Sequence, residues 1–130
     1  MHITLEADYA VRIVDYLSTN ENRQDANTIS QTTSVPLRFA LKILRKLVEK
    51  GIVKSYRGAN GGYVLSRHPS EITLCEVIEC VEGRYFISRC LSGEYKCDQT
   101  CCKFHKIYDD ISNSVREKLS SVTFDMISKK

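Results

Sequence analysis

Residues 90–105 read CLSGEYKCDQTCCKFH, four cysteines and a histidine within sixteen residues. Thiolates are soft ligands for zinc and for iron–sulfur clusters, imidazole can join them, and two thiols can close a disulfide. The intervals run Cys90-x6-Cys97-x3-Cys101-Cys102-x2-His105. Zinc knuckles usually show two tight ligand pairs. Here only one close set exists and Cys90 stands apart, so a Cys3His zinc site stays open without being specified. An iron–sulfur site is also compatible, since a loop of Ser, Gly, Asp, Gln and Thr can wrap a cluster and donate amide hydrogen bonds to its sulfides. Spacing alone does not choose between them. Cys75 and Cys80 fall within an apolar helical pattern and are read as packing residues.

Composition narrows the setting. The chain has 130 residues, 42% of them hydrophobic, enough for one core and a single domain with an appended helical arm. MHITLEADYAVRIVDYL is too acidic and too interrupted for a secretory signal. No apolar run approaches the roughly 18–20 residues that span a membrane. The expectation is a cytoplasmic protein with no membrane partner, where thiols stay reduced and the disulfide reading recedes. Net charge is +3, but it is unevenly spread. Between Pro36 and His68 eight basic residues face the single Glu49, a segment charge of +7 that leaves the remainder at −4. A basic middle on an otherwise acidic chain is the footprint of a polyanion partner.

The elements around that segment give it a shape. Residues 4–18 read as a helix capped by Thr4, with Ala7, Ala10, Ile13 or Val14 and Leu17 as its apolar stripe. Residues 19–27 are polar turn, and residues 28–33 a short helix. Pro36 suits a first helical turn and Gly51 a position just past a helix end. The helix between them, LRFALKILRKLVEK, puts Arg38, Lys42, Arg45, Lys46 and Glu49 on one side. Leu37, Ala40, Leu41, Ile43, Leu44, Leu47 and Val48 are assigned to the core side. Ile52–Arg57 and Tyr63–Arg67 read as strands, and Asn60-Gly61 between them is a strong hairpin signal. Short helix, turn, basic amphipathic helix and basic hairpin is the order of a winged helix-turn-helix, in which the second helix enters the major groove. Arg38, Phe39 and Lys42 are the expected base contacts. Arg45, Lys46, Lys54 and Arg57 are the expected phosphate contacts, with Asn60 at the hairpin tip. Thr73 and Glu76 form a capping box ahead of a helix ended by Gly83. Phe104, Tyr108, Ile111, Val115, Leu119, Val122 and Met126 recur at steps of four and three, a long helix with a near-heptad seam suited to pairing with a twin.

These stretches together resemble the Rrf-two family of winged-helix transcription regulators, almost end to end. The resemblance rests on EADYAVRIVDYL, KSYRGANGGYVLSR, ITLCEVIECVEG and the Cys-x2-His at Cys102–His105. Members resembling IscR and NsrR hold one iron–sulfur cluster per subunit through three cysteines of this loop. The resemblance implies Cys90, Cys97 and Cys102, the last chosen over Cys101 because it stands in the Cys-x2-His. It offers two fourth ligands: His105, the preferred one, by likeness to IscR, or Asp8 by likeness to NsrR. The alternative role for Asp8 is an ion pair with Arg12, one turn on. CymR-like members lack the triad. The uneven cysteine intervals and the extra Cys101 depart from the family pattern, as do Arg38, Leu41 and Lys42 in the recognition helix.

The resulting expectation is a mostly α fold with a small β-hairpin. Residues 1–83 form the winged helix-turn-helix, 84–103 the cluster loop and 104–130 a dimerisation helix. The function expected is that of a homodimeric DNA-binding regulator, a repressor, that senses iron–sulfur status, nitric oxide or redox state through a two-iron or four-iron cluster. Two alternatives stand beside it: the same regulator working by a thiol switch or zinc site, and a small electron-transfer iron–sulfur protein. No enzyme is expected, because His2, His68 and His105 lie in unrelated contexts and no phosphate loop or nucleophile motif is present.

Overall fold

The computed structural model describes residues 2–92 and 103–128. Helix α1 spans Leu5–Ser18, and its first turn is closed by Thr4, whose side chain accepts from the Ala7 amide at 3.2 Å. Ala7, Ala10, Ile13, Val14 and Leu17 are its buried face, the stripe expected from spacing. Helix α2 spans Ala26–Thr33 and starts two residues earlier than the sequence suggests. The reason is Asp25, whose carboxylate accepts from the Thr28 amide at 2.7 Å and so caps the helix. That hydrogen bond also holds the Asp25 carboxyl below its ordinary range. Ser34 ends α2 in the left-handed region, at φ 58°. Pro36 then opens α3, Leu37–Glu49.

Ala40, Ile43, Leu44 and Leu47 of α3 lock into one core with Ile13, Val14 and Leu17 of α1, Ile29 of α2 and Val77 of α4, Leu74–Glu82. Strands β1, Val53–Tyr56, and β2, Gly62–Leu65, pair antiparallel with Val53 opposite Leu65 and Tyr56 opposite Gly62. A third segment joins this wing. Gln24 exchanges both backbone hydrogen bonds with Tyr63, at 3.1 and 2.8 Å. Gly62 makes the approach possible: its φ is 142°, and a Cβ there would lie 2.8 Å from the Gln24 carbonyl oxygen.

Thr73 caps α4 as expected, accepting from the Glu76 amide at 3.1 Å. The C-terminal run is where the structure departs from periodicity. The single helix read through residues 104–126 is divided into α5, His105–Ser120, and α6, Phe124–Ser128. Backbone bonds from Leu74 to Val122 (2.8 Å) and from Phe124 to Ile72 (3.2 Å) cross the break. They turn the chain back, and Phe124 is fully buried in the core that α1 lines. Steps of four and three continue across the break, so periodicity cannot reveal it. Phe124→Ala should cost about 3–5 kcal/mol in chemical denaturation, and a cost below about 1 kcal/mol would mean that α6 does not close the core.

Candidate functional site

The exposed side of α3 carries Arg38, Lys42 and Arg45. They reach solvent because the apolar residues opposite them are committed to the core. Lys46, expected among the phosphate contacts, is turned toward α1. Its ammonium lies 2.9 Å from Glu6, which also sits 3.7 Å from Lys42. Phe39 is half-buried with its ring 5.9 Å from that of Tyr9, and the Arg38 guanidinium lies 5.4 Å from the centre of the Phe39 ring. Two residues assigned to the core are not there: Leu37 is 40% exposed and Leu41 46%. Both lie at the edge of the apolar arc, and no element among the described residues covers that edge.

The wing stands beside this face. Lys54, Arg57 and Asn60 are exposed on it. A groove of about 440 Å³ separates helix from wing, lined by Leu41, Arg45 and Glu49 on one side and Ser55, Arg57 and Tyr63 on the other. Arg23, in the turn before α2, supports the wing from below. Its guanidinium lies 3.6 Å from the centre of the Tyr56 ring, and one of its nitrogens donates to the Asn60 carbonyl at 3.0 Å. Nothing in the local sequence marks this role, because Arg23 sits in a polar turn 37 residues from Asn60. The only available signal is the pairing of an exposed aromatic on a strand with an arginine elsewhere.

Of the cysteine-loop residues, Cys97, Cys101 and Cys102 lie outside the described residues. Cys90 sits half-buried on a short 3-10 turn, Arg89–Leu91, with its Sγ 3.2 Å from Ser88 Oγ. That turn packs against α5, and His105 is the exposed first residue of the same helix. The two ends of the loop therefore rest on one element. Asp8 makes the ion pair with Arg12, at 2.9 Å. Among the described residues no three His, Cys, Asp or Glu side chains converge. Cys75 is buried, and burial pushes the half-buried Cys80 thiol up. Cys80 Sγ is 3.5 Å from the Lys46 carbonyl, to which it donates.

A clamp joins α5 to the rest. Arg116 holds Glu79 of α4 through two nitrogens, at 2.8 and 2.9 Å, and the Tyr85 amide donates to the same carboxylate at 2.6 Å. Ser112 is buried; its Oγ accepts from the Ile87 amide at 3.0 Å and donates to the Tyr108 carbonyl at 2.8 Å. The segment between α4 and the Cys90 turn is thus tied to α5 at two levels.

Comparison with known proteins gives a consistent result. Residues 3–130 match the Rrf2 family, described as an iron-dependent transcriptional regulator. Protein aau3 of Rhizobium meliloti is 33% identical over 99% of this chain and 86% of its own length. The HTH-type transcriptional regulator IscR of Photorhabdus laumondii is 30% identical over 96% of this chain and 77% of its own. The structure of CymR, the global cysteine regulator of B. subtilis, superposes with a TM-score of 0.80 at 28% identity, covering 98% of this chain and 96% of that one.

The clamp carries a pH prediction. The Arg116 hydrogen bonds hold the Glu79 carboxyl below its ordinary range, ahead of the opposing effect of burial. A carboxylate depressed by folding contributes stability above its unfolded pKa and loses it as pH falls through the folded value. Glu79→Gln should therefore melt lower than the native chain at neutral pH. The gap between the two melting temperatures should close as pH drops below about 4, and a gap that is constant with pH would show that the ion pair is not its source.

Proposed function

The chain belongs to the Rrf2 family of transcriptional regulators, and on that premise we propose a homodimeric, sequence-specific DNA-binding regulator whose operator affinity is set by an iron–sulfur cluster. It is a regulator by family, and IscR and CymR, to which it is similar, are regulators rather than enzymes. No helix among the described residues is long and apolar enough to cross a membrane. The observation that carries the DNA reading is the exposed basic side of α3 standing beside a basic wing. In this reading Arg38 and Lys42 enter the major groove, and Arg45, Lys54 and Arg57 meet flanking phosphates; exposure of all five supports it. Phe39 contributes chiefly by seating the helix on Tyr9. Lys46 acts through Glu6, holding α3 against α1. Asn60 places the wing tip, where Arg23 grips its carbonyl.

Pairing of two copies is supported by α5. Phe104, just ahead of the helix, and Ile107 and Ile111 within it are 47%, 50% and 43% exposed, while Val115 and Leu119 further along are half-buried. An uncovered apolar stripe of this kind suits a second copy, and two copies would present two recognition helices to a two-fold operator. In this reading residues 1–83 bind DNA, 84–103 carry the cluster loop, and the segment 104–130 supplies the interface through α5. The protein acts in the cytoplasm, as a repressor.

The donor chemistry fits a cluster. Four thiols within the thirteen residues from Cys90 to Cys102, three of them needed here, supply soft anionic ligands. The loop that carries them starts on a turn packed against α5 and ends at that helix. Cys90, Cys97 and Cys102 would hold the cluster, with His105 as the fourth ligand. Asp8, the other candidate, is engaged by Arg12. When bound, the cluster would supply reactivity toward iron supply, oxidants or nitric oxide. Ligation through the three cysteines would order the loop and pin the start of α5, and through the Arg116–Glu79 clamp it would bear on α4 and α3. The likeness to CymR supports a second reading, in which the adjacent Cys101 and Cys102 act as a thiol switch without iron.

Anaerobically purified protein should show visible absorbance with iron and acid-labile sulfide present. Cys90→Ala, Cys97→Ala and Cys102→Ala should bleach it, whereas Cys75→Ala and Cys80→Ala should not. Duplex affinity should differ between cluster-loaded and cluster-free protein. Colourless protein that binds DNA and responds to oxidation would favour the thiol reading; equal affinity in every state would remove the sensor. A separate test addresses the wing. Lys54→Ala, which removes one phosphate contact from each subunit of the dimer, should flatten the slope of log affinity against log salt by about 1.8. Arg23→Ala, which loosens the wing tip, should weaken binding several-fold and leave that slope nearly unchanged if Arg23 positions the wing; a change of slope as large as that of Lys54→Ala would make it a phosphate contact instead.

A further inference from the structure

Leu37 and Leu41 stand one turn apart at the leading end of α3, and both are substantially exposed. A single exposed leucine needs no explanation. The surroundings of this pair are unusual. Arg38, Lys42 and Arg45 share the same exposed side within two turns, and Leu41 lines the groove toward the wing with Arg45 and Arg57. An apolar patch ringed by cations suits a partner that offers apolar groups recessed between anions. The major groove of DNA is such a surface, with phosphates along its rims and the thymine C5-methyl standing out from its floor. A protein partner would need apolar side chains set among acidic ones in the same narrow groove, and it would compete with the basic wing's own ligand.

We infer that Leu41, seconded by Leu37, is a specificity-determining residue that selects thymine by contact with its methyl group. The inference rests on the DNA-binding reading above and deepens it. Leucine offers no donor or acceptor. Opposite a G·C pair it would cover base-edge groups without satisfying them, which disfavours that pair. Opposite an A·T pair it buries the methyl. The cations on either side supply affinity that does not depend on sequence. Leu41 thus adds discrimination to a face whose charge supplies the attachment.

The test separates the inference from its premise. Selection from a random duplex library with the native chain defines the preferred site. Each thymine of that site is then replaced singly by deoxyuridine, which removes the methyl and nothing else. At one or two positions per half-site the native protein should lose about fourfold in affinity, the equivalent of one buried methyl. Leu41→Ala should bind thymine and uracil duplexes equally at one of those positions, and Leu37→Ala at any neighbouring one. The readout is a ratio between two duplexes on one protein sample, so incomplete folding of a variant does not change it. The inference is overturned if no uracil substitution weakens native binding, or if Leu41→Ala keeps the native discrimination at every position. A native protein that enriches no sequence would instead overturn the DNA-binding reading itself.

Discussion

The structure depends on one helix having its apolar side fixed. Ala40, Ile43, Leu44 and Leu47 of α3 are fully buried, each against residues of other elements. Burying a leucine or isoleucine side chain is worth roughly 1.5–3 kcal/mol, so their combined contribution is several times the energy of any surface pair on the same helix. That asymmetry decides which way α3 faces. Turning it by one residue would bring Arg45 or Lys42 into a core that, among the described residues, holds no buried carboxylate for either, at a cost no surface contact could offset. The aim of the basic face is therefore set from behind. The charged residues do not depend on hydrogen bonds of their own to be held outward, although Lys46, and more loosely Lys42, also reach Glu6.

Fold and site were legible in the sequence to different degrees. The caps at Thr4 and Thr73, the Pro36 and Gly51 boundaries of α3 and the Asn60-Gly61 hairpin could all be read because each is a local rule of backbone geometry. What escaped was non-local. Leu37 and Leu41 belong to the apolar arc by angle, but whether an arc edge is covered depends on a neighbour that periodicity does not describe. The break at Ser121 was hidden for the opposite reason: the 4–3 rhythm continues into α6 while the backbone bonds to Ile72 and Val122 turn the chain. Arg23 and Gln24 sit in a polar turn whose importance appears only when the wing is folded against it. For the cysteine loop the sequence names ligand types and an order. It has no means of stating convergence, because a single loop of this length can bring its thiols together in many ways.

Cys90 and the recognition helix are joined by short, mostly polar links. The turn carrying Cys90 rests on α5. Ser112 and Arg116 of α5 take the Ile87 amide and the Glu79 carboxylate. The residue after Glu79, Cys80, donates its thiol proton to the carbonyl of Lys46 in α3. Lys46 reaches in turn to Glu6, while Glu82 accepts from the Thr4 amide at 2.8 Å. The end of α4 is thereby gripped from α5, α3 and the start of α1 together. A displacement of α5 would disturb charge-assisted bonds that are only partly exposed, and such bonds lose more when stretched than apolar packing does. Proximity alone does not make a pathway. The arrangement nonetheless puts a run of polar contacts, two of them charge-assisted, between the loop that would take a signal and the helix that would act on it.

Dividing the C-terminal run also separates two demands that one helix would serve poorly. Phe124 has to be buried to complete the core, and the five-residue α6 does this where it packs against α1. With that task removed, α5 need not face inward along its whole length. It meets α4 through Arg116 and the segment before the Cys90 turn through Ser112, and it leaves Ile107 and Ile111 uncovered, with Phe104 exposed just ahead of it. A continuous helix from 104 to 126 would project its last turns away from the core and leave the Phe124 site empty. The break stabilises the single chain while keeping an apolar stripe on the very helix at which the cysteine loop ends. In the dimeric reading, whatever binds the cysteines acts next to the first turn of the interface, where a small change in helix direction becomes a change in the spacing of two recognition helices.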